Sequence, residues 1–240
     1  NFVRKYLLSG TINSAVWEIK GDTLHTDSIS SDHSLIAFVS MKNFDMDTPD
    51  GSLLGMGDTG QLLKLINLME LDIELTTRFN KRGDPLSIQI SDGTITANFA
   101  LSESPSITKP TEAADTIPES WDATLMLDAD DMDKLVKSIS ALQKVKSFVL
   151  IYDKVTGKTK LVVGHSKNNS NSVSIEVDVE YEDGPLTPMP FSAIHLKEII
   201  SANKDADEIV MRISEIGLAN ISFDIMDFKS DYYLVEIDGD

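Results

Sequence analysis

The 240-residue sequence contains no cysteine, which removes disulfides, thiolate metal sites and cysteine nucleophiles together. That usage fits an intracellular protein. No stretch approaches the roughly 18 consecutive apolar residues of a membrane-spanning helix. The opening Asn1-Phe2-Val3-Arg4-Lys5 lacks a signal-peptide pattern, so the expectation is a soluble, cytoplasmic protein without a membrane partner. Positive charge is scarce, with 21 Lys and Arg against 39 Asp and Glu and a net charge of −18. Such a chain is repelled by nucleic acid as a whole, so any cationic surface on it must be concentrated locally.

Catalytic patterns are also missing. His25, His33, His165 and His195 are scattered, with no HExxH and no GxSxG. Gly55-Met56-Gly57-Asp58-Thr59-Gly60 matches GxGxxG literally, but Asp58 would aim negative charge into a phosphate cradle. A strand over Leu53 to Gly57 running into a helix capped by Asp58 or Thr59 accounts for it better. Asp128, Asp130, Asp131 and Asp133 lack the central Gly and the twelfth-position Glu of a calcium loop and suit a first helical turn instead. Asp45, Asp47, Asp50 and Gly51 read as a turn. No metal, no cofactor and no enzymatic site is expected.

What the chain does contain is enough apolar residue, 41%, to bury a sizeable core, and a length that permits two domains. The stretch from Ser102 to Ser120 carries Pro105, Pro110 and Pro118 and reads as an extended linker. It divides the chain into a domain over 1–102, a connector over 103–121 and a domain over 122–240. Before it, a short helix near Phe2 to Leu8 precedes strands around 15–20, 23–28 and 35–42, then a helix around 60–70 and strands around 72–79, 86–91 and 94–101. After it come a strand at 123–127, a helix, strands near 147–153, 160–165 and 172–181, a helix over about 192–203, and strands near 208–214, 219–225 and 232–237. The order of elements repeats at a spacing near 120 residues, an internal duplication of topology.

The helix after Leu127 is segregated by charge. At roughly 100° per residue, Lys134, Lys137 and Lys144 fall within about 80° of one another, opposite Met132, Leu135, Val136, Ile139 and Leu142. Lys197, Ser201 and Lys204 repeat the habit at i, i+4 and i+7 on the last helix, and the first two helices carry Arg4, Lys5 and Lys64. All four helices are therefore expected to present one basic surface. A solvated helix face is the ordinary alternative for any lysine taken singly.

Three passages carry a family resemblance: Ser31-Asp32-His33-Ser34-Leu35-Ile36, Leu53-Leu54-Gly55-Met56-Gly57 through Gln61-Leu62-Leu63-Lys64, and Asp231-Tyr232-Tyr233-Leu234. In order and spacing the chain resembles the DNA sliding clamps, the processivity factors of DNA polymerases that include PCNA and the trimeric clamps of tailed bacteriophages, and it is most similar to the phage branch. The resemblance implies an α+β DNA-clamp fold of two topologically similar domains, with outer antiparallel sheets and inner helices. Three subunits would close a six-domain ring around double-stranded DNA and tether a DNA polymerase, with a clamp-loader ATPase as a further partner and a host bacterial cytoplasm as the place of action. Arg4, Lys5, Lys64, Lys134, Lys137, Lys144, Lys197 and Lys204 would then face the hole. A pocket for a partner peptide would be walled by Ile29, His33 and Leu35, by Tyr233 and Val235 of the closing segment, and by Trp121. Subunits would pair the strand over 94–101 with the strand over 172–178 of the next copy. The competing reading is a non-enzymatic β-rich structural or virion protein.

Overall fold

The structure is a computed structural model that describes residues 1–70, 72–110, 116–164 and 171–238. His165 and residues 111–115 of the expected connector lie outside the described residues. The chain divides into two compact units, Asn1–Thr111 with Met226–Ser230, and Glu112–Ile225 with Asp231–Asp240.

In the first unit, helix α1 (Phe2–Leu7) buries Phe2, Val3, Tyr6 and Leu7 and ends where Leu8 turns left-handed at φ 46°. Strands β1 (Ala15–Lys20), β2 (Thr23–Ile29), β3 (Leu35–Met41) and β4 (Leu53–Met56) form antiparallel pairs in the order β4-β1-β2-β3. Along β2, Leu24, Thr26 and Ser28 are buried while the intervening side chains are half-exposed, the period of two that a one-sided core imposes. Trp17 of β1 is buried against α1: its ring meets Phe2 edge-on at 5.6 Å, and its indole N–H donates to the Tyr6 hydroxyl at 2.9 Å. Helix α2 (Thr59–Ile66) starts at Asp58, whose carboxylate accepts from the Gln61 N–H at 2.8 Å. A meander follows, β5 (Glu74–Phe79), β6 (Pro85–Ser91) and β7 (Thr96–Ala100).

The second unit opens with β8 (Ala123–Asp128) and α3 (Ala129–Ala141), then β9 (Ser147–Asp153), β10 (Lys158–Val163), β11 (Val173–Val177), β12 (Glu180–Tyr181) and β13 (Phe191–Ser192). Helix α4 (Ala193–Ala202) leads into β14 (Glu208–Ser214), β15 (Leu218–Ile225) and β16 (Phe228–Val235). One sheet has the order β13-β9-β10-β11; β12, β8, β14, β15 and β16 are neighbours in that order in another.

The duplication is visible in strand order. In each unit four strands pair as fourth-first-second-third, β4-β1-β2-β3 and β13-β9-β10-β11, and the fourth strand runs almost directly into a helix followed by a three-strand meander. Weak sequence similarity between the halves conceals this because side-chain alternation, not identity, defines a pleated strand.

Four expected boundaries shift. The second helix stops at Ile66, where the N–H of Asn67 bonds back to the carbonyls of Leu63 and Leu65. The strand expected over 172–181 is two strands in two sheets, because Thr159 pairs with Val177 while Tyr181 pairs with Ala123. The lysine helix ends at Ala141, and the last helix at Ala202. Among the described residues, no helix is long and apolar enough to cross a membrane.

Candidate functional site

Each unit packs two helices together, and the cations expected to act lie on or just after them. In the first unit Arg4 is exposed and its guanidinium donates to the Asn67 side-chain oxygen at 3.1 Å, linking α1 to the end of α2. Lys64 is exposed on α2. Lys5 does not join them: it is 2% exposed, with its ammonium 5.1 Å from the centre of the Phe228 ring. One residue along a helix is a rotation of about 100°, which carries the neighbour of an outward Arg4 into the core.

In the second unit, Asp128 caps α3 by accepting from the Asp131 N–H at 2.9 Å. Met132, Leu135 and Ile139 are buried, which leaves Lys134 and Lys137 exposed. Both are already paired. The Lys134 ammonium lies 2.9 Å from Asp131 and the Lys137 ammonium 2.5 Å from Asp133, one helical turn back. The hydrogen bond to Asp131 pushes the Lys134 ammonium above its ordinary range. Lys144 is not on this helix: Leu142 leaves it with extended backbone and Lys144 is left-handed at φ 58° in the turn before β9. Lys204 likewise follows α4, beyond Asn203, whose buried amide donates to the Ile199 carbonyl and to the Tyr232 hydroxyl, both at 2.9 Å. Lys197 is half-buried on α4. A cavity of about 300 Å³ between α3 and α4 is lined by Met132, Val136, Ile200 and Ala206, with Asp133 and Lys204 beside them.

The residues expected to receive a peptide come from both units, one group in each. Ile29 and His33 line a cavity of about 260 Å³ in the first unit, together with Thr11, Asn13, Ser14, Ser30, Ser31 and Thr108. His33 is held outward at the β2–β3 turn with φ 60°, while Asp32 accepts from the Ser30 hydroxyl at 2.6 Å and the Ser34 N–H at 3.1 Å. Leu35 takes no part in a surface wall, since it is fully buried in the core as the first residue of β3. The hydroxyl lining and Thr108 carry no sequence signal of their own, because which Ser and Thr face one space depends on the turn. In the second unit Trp121 stacks on Tyr233, ring centroids 6.4 Å apart, and Val235 is 43% exposed. Beside them Arg212 donates to the side-chain oxygens of Asn220 at 2.9 Å and Ser222 at 3.2 Å, and the Ser222 hydroxyl bonds Asp231 at 2.5 Å. Burial, and after it the Asp231 charge, raises the Tyr233 hydroxyl above its ordinary range.

The acidic strings resolve into local roles. Asp128 is a cap and Asp131 a partner of Lys134. Asp50 accepts from the Gly21 N–H at 2.7 Å, and the backbone of Asp47 bridges to β5. Among the described residues, no group of three or more His, Asp or Glu could hold a metal. Gly55 serves close packing, because a Cβ there would meet the Ser102 carbonyl oxygen at 2.3 Å.

No protein-family model matches the chain, and no curated protein matches it. Solved structures do. The proliferating cellular nuclear antigen of Entamoeba histolytica is 17% identical with a TM-score of 0.72, over 99% of this chain and 95% of that one. That of Thermococcus kodakaraensis is 12% identical with a TM-score of 0.69, over 98% and 94%. The fold is the α+β clamp fold of these proteins across nearly the whole chain.

Proposed function

We propose that this protein is a DNA sliding clamp, a non-enzymatic ring of three copies that encircles duplex DNA and tethers a replicative polymerase. The observation that carries the reading is the repeated unit, fourth-first-second-third strand order with a packed helix pair, in a chain that matches solved clamp structures from end to end. Cations on or just after those helices supply the complementary argument. In a protein of net charge −18, Arg4, Lys64, Lys134, Lys137, Lys197 and Lys204 stand on or immediately after helices. Contact with phosphates alone carries no sequence information, so such a ring slides over any sequence and is retained by topology. Acidic surfaces elsewhere discourage DNA from binding the wrong face.

Two further assignments belong to this reading. Strands β7 and β11 each end their sheet, and pairing β7 of one copy with β11 of the next would close the ring while covering two edges. The Ile29–His33 cavity and the Trp121–Tyr233 stack with Val235 receive peptides from the polymerase and from a clamp-loader ATPase. The lysine helix and the closing strands favour the phage branch, hence action in a bacterial cytoplasm.

The test is topological. Protein loaded onto nicked circular DNA by its loader should stay with the DNA through gel filtration and should leave when the circle is cut. Equal retention on linear and circular DNA would contradict encirclement.

A further inference from the structure

The lysines of α3 and the cations on the other helices differ in one respect. Lys134 and Lys137 each sit on a carboxylate of their own helix, Asp131 and Asp133. Among the described residues, Lys64, Lys197 and Lys204 have no carboxylate partner, and Arg4 is held by a neutral amide. Counted from its cap, α3 carries four carboxylates, Asp128, Asp130, Asp131 and Asp133, against two ammonium groups. Its face is therefore cationic in outline and compensated in charge.

We infer that Asp131 and Asp133 are built-in competitors for phosphate, which weaken the hold of the α3 face on duplex nucleic acid and leave the tight contacts to Arg4, Lys64, Lys197 and Lys204. The inference rests on the proposed clamp reading and concerns which residues tune it. A free lysine that meets a phosphate releases a condensed counterion from the DNA, the main source of non-specific affinity. A lysine that must first leave a carboxylate strands that carboxylate, which takes up a cation from solution and cancels much of the gain. Both pairs are solvent-exposed, with 59% and 74% of the two lysine side chains accessible, so the exchange is rapid and the contact shallow. A shallow contact suits a surface that must pass over phosphates without stopping.

The experiment measures binding of a short fluorescein-labelled duplex of mixed sequence to the full chain by anisotropy, across a series of salt concentrations. Asp131→Asn with Asp133→Asn should tighten binding severalfold and steepen the log–log salt dependence by about 0.9 for each lysine released. Lys64→Gln with Lys197→Gln should weaken binding severalfold and flatten the salt dependence by about 0.9 for each lysine removed. Asp133→Asn alone, beyond the first turn of α3, gives half of the effect without touching the helix start, and far-UV circular dichroism checks that the helix persists. Unchanged binding and salt dependence in the Asp variants, with binding weakened in Lys64→Gln with Lys197→Gln, would overturn the inference while leaving the clamp reading standing. Indifference of every variant, Lys64→Gln with Lys197→Gln included, would overturn both.

Discussion

Trp121 lies stacked on Tyr233, with ring centroids 6.4 Å apart and planes inclined by 29°. One ring ends the stretch that connects the two halves in sequence, and the other belongs to the closing strand. Both are half-buried, so the pair offers an aromatic shelf beside the exposed Val235. Trp121→Ala removes the shelf and an aromatic contact of about 0.5–1.5 kcal/mol. The expected outcome is a severalfold loss of polymerase stimulation in primer extension, with the assembly state unchanged. Full stimulation by the variant would remove Trp121 from the proposed docking surface.

Tyr6 and Trp17 form a sealed pair in the first unit, both at most 2% exposed. Burial pushes the Tyr6 hydroxyl far above its ordinary value of 10, so folding favours the neutral phenol. Its contribution is fully present below pH 10 and is lost as pH rises toward the folded value. Tyr6→Phe leaves the Trp17 N–H without its acceptor and should cost roughly 1–3 kcal/mol at neutral pH. Urea unfolding at increasing pH should also show a flatter alkaline limb in the variant than in the parent.

Asp92, 7% exposed, is the acid-side counterpart. Its carboxylate accepts the Ile95 N–H at 2.8 Å, the Glu70 N–H at 2.9 Å and both the N–H and hydroxyl of Thr94, and these bonds hold it well below the ordinary 3.8. The stabilisation is present above pH 4 and fades as pH falls through the depressed value. Asp92→Asn is expected to lower Tm at pH 7 and to narrow the gap to the parent on acidification.

Two glycines of the GxGxxG string should respond with opposite sign. A Cβ at Gly55 meets a backbone oxygen at 2.3 Å, so Gly55→Ala should destabilise by about 1–3 kcal/mol. At Gly60, inside α2, the nearest atom is 3.5 Å away, and Gly60→Ala should stabilise by up to about 1 kcal/mol. Thermal unfolding of the two variants separates the packing account from a phosphate cradle, which would need both positions.

Much of this architecture is written locally. Alternation along β2, the acid cap before α3 and the apolar positions Met132, Leu135 and Ile139 need only neighbouring residues to be read. What was not legible depends on partners distant in sequence. Lys5 is buried under Phe228, more than two hundred positions away, and Leu35 belongs to the core rather than to a surface wall. The break between Val177 and Glu180 follows from a change of sheet, which no periodicity reports. Lys144 falls on the helical spacing of the α3 lysines, which continues past Ala141 although the backbone does not. The ion pairs on α3 are legible at i, i+3 and i, i+4, where each acid sits one turn before its lysine.

The measurement that bears most directly on the central claim is the mass of the purified protein by light scattering across a range of concentrations. Closure of six domains predicts three times 26.4 kDa, about 79 kDa, as the assembled species. A stable dimer or tetramer, or a monomer at every concentration, would contradict the trimeric ring.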